Sequence, residues 1–203
     1  MQAQEVASES GGAVDRSNGY DEIAEQYVVA RNPEIGAAIV RKWTESLKAG
    51  ASVLDLGCGH GEPIGRILTE RGCRIFAVDA SKRLLEEFRK RFPAAITEHA
   101  AVQESEFFGQ KFDGIVAWGL LFLLAEEAQP VVLRKMTKAL KPDGRLLFTA
   151  PPEAVRWKDA MTRSESVSLG RKAYRRILQS EGLVLEQEQR DEGENHYYLA
   201  SKA

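Results

Sequence analysis

Cysteine is scarce in this sequence, with Cys58 and Cys73 the two among 203 residues. They lack metal-ligand spacing, one lying in a glycine turn and the other opening a strand. They read as reduced thiols of a cytosolic protein rather than a disulfide framework, and no metal is expected. Long apolar runs are missing as well. The longest, Gly114 to Ala125, is too short to span a bilayer and reads as buried core. No excess of positive charge exists: 28 Lys and Arg stand against 30 Asp and Glu, a formal net charge of −2. That argues against a bulk electrostatic hold on nucleic acid. The N-terminus has no basic segment followed by an apolar one, so a signal peptide is not expected and a cytoplasmic location is. Residues 1–17, rich in Ser, Gly, Ala and Glu without periodicity, read as a disordered tail ahead of one domain over 18–203.

What is present is concentrated at residues 53–61, Val-Leu-Asp-Leu-Gly-Cys-Gly-His-Gly. A short apolar strand runs into glycines at alternate positions. Glycine allows a sharp backbone turn and lets a ligand approach the peptide groups with no Cβ in the way. Residues 62–71 can form a helix whose free N–H groups face whatever lies over the glycines. Asp79 ends the next apolar strand, where a carboxylate can accept hydrogen bonds from both hydroxyls of a ribose.

Around this run, strands and helices alternate. Helical spacing covers 20–31, and Asn32-Pro33 reads as the start of a second helix with Ile35, Ile39, Trp43 and Leu47 on one stripe. Strands are expected at 51–56, 73–79, 95–100, 114–117 and 145–150. Helices are expected at 81–91 (capped by Ser81), 125–140 and 170–181. Lys141-Pro142-Asp143-Gly144 reads as a turn, 153–168 as a less regular stretch, and 183–190 with 195–201 as a closing hairpin. The fold class is α/β. A single Rossmann-like domain carries a mostly parallel seven-stranded sheet, helices on both faces and an antiparallel C-terminal strand.

Four segments in this order resemble class I S-adenosylmethionine-dependent methyltransferases of the small-molecule type. They are Val53 to Gly61, Val78-Asp79-Ala80-Ser81, Phe112 to Val116 and Leu140 to Leu146; Tyr20 to Tyr27 also resembles the helix that often covers the cofactor. The resemblance runs from about Tyr20 to the C-terminus. It implies that the backbone at Gly57, Cys58, Gly59 and Gly61 passes beneath the methionine end of S-adenosyl-L-methionine. It also implies that Asp55 serves the cofactor's amine, Asp79 the ribose, and Ala80 the adenine. The family often carries an Asp after the third strand for the adenine amine; this chain has Ala101-Val102-Gln103 there, with Gln103 or Glu104 as substitutes. Tyr20, Tyr27 and Arg31 read as a lid or as an ordinary packed helix. Trp118 reads as a cation–π shield for the sulfonium or as core.

His196, beside the turn expected on the cofactor edge, reads as a general base or substrate-orienting group, or as a satisfied strand histidine. Phe122, Trp157, Tyr174 and Tyr197 are the expected acceptor contacts; residues 153–174, Asp159 among them, fall where an insertion could roof the acceptor pocket, or form a plain loop with a short helix. The expected reaction is in-line methyl transfer to a small-molecule acceptor, which needs orientation more than a catalytic constellation. Three alternatives stay open: a dinucleotide-dependent oxidoreductase, whose Gly-x-Gly-x-x-Gly fingerprint would need glycine where Glu62 stands; a non-catalytic binding module; and a methyltransferase acting on protein or RNA. Nothing in the sequence speaks to oligomeric state.

Overall fold

The computed structural model describes residues 15–202, so residues 1–14 of the expected tail lie outside the described residues. The strands are β1 (Ser52–Leu56), β2 (Arg74–Asp79), β3 (Ile96–His99), β4 (Phe112–Ala117), β5 (Leu140–Thr149), β6 (Ala154–Lys158), β7 (Glu165–Leu169), β8 (Leu183–Arg190) and β9 (His196–Lys202). The helices are α1 (Ala24–Ala30), α2 (Ala37–Glu45), α3 (Ile64–Glu70), α4 (Lys82–Arg91), α5 (Ala128–Ala139) and α6 (Arg171–Ser180). Seven strands form one sheet in the order β3-β2-β1-β4-β5-β9-β8. The first five pair in parallel, and β9 runs antiparallel to both β5 and β8.

Every residue of β1 is buried, as expected of a central parallel strand covered on both faces. Alternation along it divides the core. Val53 joins the cluster beneath α2, α3 and α4, which includes Trp43, Ile67 and Phe88. Leu54 and Leu56 join the opposite cluster, with Leu133 and Met136 of α5 and Tyr174 and Leu178 of α6. Ser81 caps α4 as expected, its hydroxyl accepting from the Leu84 N–H at 3.1 Å. The order of strands reverses at β1, which has β2 on one side and β4 on the other, so the cleft opens beyond the carboxyl ends of these strands.

The second helix starts later than Asn32-Pro33 suggests. Asn32 does accept the Glu34 N–H at 3.0 Å, but α2 begins at Ala37, after Gly36. Gly36 has φ +75°, and a Cβ on it would lie 2.0 Å from the Tyr197 hydroxyl oxygen and 3.0 Å from Asp191 Oδ2. The close approach of β9 and the turn before it thus dictates the break. Gly36→Ala is expected to lower stability by about 2 kcal/mol or more, read as a lower denaturant midpoint. A shift below about 0.5 kcal/mol would mean that Tyr197 yields without cost.

Two further differences concern β5 and the stretch after it. The Lys141–Gly144 segment lies within β5, where the register against β4 jumps: Phe112 pairs with Leu140, then Gly114 with Arg145. The residues between bulge out, with Asp143 at φ +59°. The stretch expected to be irregular contains the β6–β7 hairpin, a separate two-stranded sheet. β6 is exposed at nearly every position and β7 is buried at three in a row, so neither strand carries a period-two signal.

Candidate cofactor site

The cleft is floored by the glycine turn. Gly57 and Gly59 line it at φ +67° and +54°, a backbone that a side-chain-bearing residue adopts only at a cost. The turn is tied to β2, where the Val78 carbonyl accepts from the N–H of Gly57 at 2.8 Å and of Cys58 at 3.2 Å. Gly61 and Cys58, expected beside the ligand, lie off the cleft. A Cβ on Gly61 would sit 2.2 Å from the Phe92 ring, so this glycine lets the turn pack on the aromatic pair of α4. Cys58 is buried, with its Sγ toward the Gly59 carbonyl, and burial pushes its thiol well above the ordinary range.

Asp79 stands at the end of β2, half-buried on the wall of the cleft. Its Oδ2 accepts from the Gly59 N–H and its Oδ1 from the Ser81 N–H, both at 2.7 Å. Each oxygen keeps a lone pair for a further donor. Burial raises this carboxyl above the usual range despite those two bonds. Ala80, Ala101, Val102 and Gln103 continue the wall beyond it, in the region where the adenine was expected.

Asp55 and Arg31 carry the strongest electrostatic signal. Asp55 does not itself line the cleft; it is 1% exposed in β1 next to the glycine turn, and among the described residues its Oδ2 has no hydrogen-bond partner. Burial, with the nearby Asp79 charge adding to it, pushes this carboxyl up to about 8. Arg31 follows α1 and lines the cleft; its guanidinium lies 3.6 Å from the centre of the Trp118 ring. One contact reaches the Glu62 carbonyl, while Nη2 is buried with no partner. Trp118 therefore packs against the core on one side, one of its two expected places, and presents a face to Arg31 at the cleft. Behind it, the Trp118 indole N–H donates to the Tyr197 hydroxyl, which donates to buried Asp191 at 2.8 Å. Tyr197 is thus a fully buried support for the Trp118 plate, and this corrects its expected place against the acceptor.

A roof closes the cleft from two distant parts of the chain. Tyr27 packs over the glycine turn, its ring edge 3.5 Å from where a Gly59 Cβ would lie, and Tyr20 meets Tyr27 edge to face at 5.4 Å. Asp21 anchors this segment to α4, accepting from the Ser81 hydroxyl and the Arg83 N–H. The other half of the roof is the β6–β7 hairpin. Tyr20 donates to Asp159 Oδ2 at 3.1 Å, and Ser164 donates to the Asn18 carbonyl at 3.0 Å. Asp159, in the 153–174 stretch expected to roof the acceptor pocket, lines the cleft, and so do Arg16, Ser17, Asn18, Leu120 and Asn195, for which no ligand role was expected. Asp15 accepts from the N–H groups of Ser17 and Gly19, so residues 15–17, expected in the tail, form a turn at its rim.

Three expectations for the reaction itself are corrected. His196 is buried on the other face of the sheet, with its Nε2 2.8 Å from Glu188 and its ring against Tyr198. Alternation along β9 sends His196 and Tyr198 toward α6 and leaves Tyr197 on the cleft side. Tyr174 is fully buried in the α5–α6 core, donating to Gln129 at 2.7 Å, and cannot touch an acceptor. Trp157 lies outside the cleft and packs on Phe122 at 5.4 Å between ring centres; Phe122 lines it.

Comparison with known proteins agrees with this geometry. Residues 53–144 match the family described as Methyltransferase domain. The cypemycin N-terminal methyltransferase of a Streptomyces species is 34% identical over 164 residues, covering 75% of this chain and 64% of that protein. The 27-O-demethylrifamycin SV methyltransferase of Amycolatopsis mediterranei is 31% identical over 106 residues, covering 49% of this chain and 38% of its own length. The chain thus spans less than two thirds of these curated relatives. Among solved structures, the Burkholderia thailandensis 1,6-didemethyltoxoflavin-N1-methyltransferase, with its acceptor and S-adenosylhomocysteine bound, superposes with a TM-score of 0.72. It is 20% identical, covering all of this chain and 93% of that one. Residues 53–144 thus match a methyltransferase-domain family, and the chain as a whole shares its fold with solved methyltransferases.

Proposed function

We propose that the protein binds S-adenosyl-L-methionine in this cleft and transfers its methyl group to a small-molecule acceptor. One observation carries the reading. The glycine turn is flanked by a buried acceptor without a donor, Asp55 Oδ2, and a buried donor without an acceptor, Arg31 Nη2. An α-amino acid brings an ammonium and a carboxylate, which satisfy the two together. Unmet buried polar groups are costly, roughly 1–3 kcal/mol each and more for charged ones, so the arrangement favours a ligand of this form.

The remaining residues fit the rest of the cofactor. Asp79 offers its open lone pairs to the ribose hydroxyls. Ala80, Val102 and Gln103 border the adenine, with the Gln103 side chain as the candidate partner for its amine. When bound, the cofactor supplies an already activated methyl group. The chain's part is to hold the donor through Asp55, Arg31 and Asp79, to exclude water with Tyr20, Tyr27 and the hairpin, and to align the acceptor over Leu120 and Phe122. Orientation of this kind supplies about 7–11 kcal/mol without a dedicated base. The toxoflavin enzyme's pairing of a small acceptor with S-adenosylhomocysteine supports the same reading here.

Proton uptake tests the assignment. Burial pushes the folded Asp55 carboxyl up to about 8, well above the ordinary carboxylate range, so the ligand-free fold binds its proton more tightly than the unfolded chain. Stability from this group is present at low pH and is lost as the pH rises from about 4 toward 8. An ammonium at Oδ2 reverses the preference and expels the proton. S-adenosylmethionine binding at pH 7 should therefore release about one proton, measured by calorimetry in buffers of different ionisation enthalpy. Asp55→Asn should bind more weakly and release none. Wild-type binding without proton release would remove Asp55 from the site, and absence of binding would remove the function.

A further inference from the structure

We propose that Asp159 is the acceptor-recognising group of this cleft and that it selects an amine nucleophile. The inference rests on the methyltransferase reading and adds the substrate class. Asp159 is 8% exposed, yet it faces the cleft from the loop of the β6–β7 hairpin. Its two oxygens have different tasks. Oδ1 is consumed locally, accepting from the Met161 N–H at 2.9 Å, the Thr162 N–H at 2.8 Å and the Thr162 hydroxyl at 3.2 Å. Among the described residues, Oδ2 accepts only from Tyr20. A carboxylate oxygen can accept twice, so one lone pair of Oδ2 is free for a ligand donor.

The other polar groups at this end of the cleft have the same sense. Asn195 turns its Nδ2 onto Asp191, 3.1 and 2.9 Å from the two carboxylate oxygens. Both are pure acceptors, so the amide's donor end is fixed there and its Oδ1 is turned away from them. The Tyr20 hydroxyl is already spent on Asp159, and burial together with that carboxylate's charge raises its pKa, which keeps it protonated. Of the two arginines on the cleft, Arg31 is over Trp118 and Arg16 pairs with Glu104 at 3.2 Å. With Arg31 Nη2 and the Tyr27 hydroxyl, which lies over the glycine turn, assigned to the cofactor's end, what remains for an acceptor is a wall of Leu120 and Phe122 and hydrogen-bond acceptors, one of them charged. The matching ligand is an amine on an apolar body.

In the transfer, the extra proton of the bound ammonium leaves to water past Asp159. The freed nitrogen lone pair forms the carbon–nitrogen bond as the carbon–sulfur bond breaks, and that electron pair stays on sulfur. The product ammonium carries the positive charge beside the carboxylate. An alcohol of the same shape gains none of this charge pairing, and a carboxylic acid is repelled.

The test uses the full chain saturated with S-adenosylhomocysteine, with phenethylamine and 2-phenylethanol as shape-matched probes followed by calorimetry. The amine should bind about tenfold or more tightly than the alcohol, as expected for a charge-assisted hydrogen bond. Asp159→Asn keeps an Oδ1 acceptor for the loop and should abolish that preference while S-adenosylhomocysteine affinity stays within about twofold. A carboxylate that merely braced Tyr20 against the hairpin would weaken both probes alike when replaced. Equal binding of the two probes to the wild type, including no binding of either, overturns the proposal, as does a preference that survives Asp159→Asn. Failure of S-adenosylhomocysteine itself to bind falsifies the cofactor reading instead, so the two failures are distinguishable.

Discussion

Asp79→Ala is expected to weaken S-adenosylhomocysteine binding by roughly 100-fold or more. Two hydroxyl bonds to a carboxylate contribute about 1.5–3 kcal/mol each, and both vanish together. The same change strips the Gly59 and Ser81 N–H groups of their acceptor, so the ligand-free protein should also lose about 1–3 kcal/mol of stability. Affinity alone would mix these effects. The 2′-deoxy analogue separates them: against wild type it should bind worse than the ribonucleoside, and against Asp79→Ala the two should bind equally. The difference of differences isolates the carboxylate–hydroxyl contact from the reshaped turn. An analogue penalty that persists undiminished in the variant would place the ribose elsewhere.

Arg31→Met should separate binding from stability. Removing one partner of a buried charge pair costs 2–5 kcal/mol, so S-adenosylhomocysteine affinity should fall roughly 30-fold or more. 5′-Methylthioadenosine has neither carboxylate nor ammonium and should bind the variant and the wild type alike. The ligand-free melting temperature should hold or rise. Burial already pulls the guanidinium's pKa down, its Nη2 is unpaired, and a methionine of similar length relieves that desolvation. Against this stands the loss of the Trp118 contact, about 0.5–2 kcal/mol. Parallel losses for both ligands would mean that Arg31 only shapes the cleft. The pattern expected is the common one in which a site residue serves affinity at the expense of the empty fold.

The parts of the site that are legible in the sequence are those made by neighbours along the chain. Gly57 and Gly59 announce a turn because their conformation is a local requirement, and Asp79 follows from the register of β1 against β2. The mostly parallel sheet and the reversed β9 follow from alternation and the closing turn, whereas the order of the strands does not. Residues assembled across the sequence stay hidden: Tyr20 and Asp159 meet although 139 positions separate them. Nothing periodic marks Asn18 or Arg16, although the turn chemistry of Asp15-Arg16-Ser17-Asn18-Gly19 was a readable signal against a disordered tail. His196 shows a different limit. Its strand and edge are legible, but which face it takes depends on the residue at which β9 begins to pair, and a one-position shift exchanges His196 with Tyr197. Gly61 shows a third. Its glycine is required, but by Phe92 rather than by a ligand.

The two halves of the roof, residues 15–31 and the 154–169 hairpin, both fall outside the 53–144 segment that defines the family, whereas Asp55, the turn glycines, Asp79 and Trp118 fall within it. The division is not complete: Arg31 belongs to the first of these roof segments, and Leu120 and Phe122 of the cleft wall lie inside 53–144. Grafting that hairpin together with its N-terminal counterpart is the natural unit for transplanting selectivity between such domains, because Tyr20 and Asp159 would have to travel as a pair.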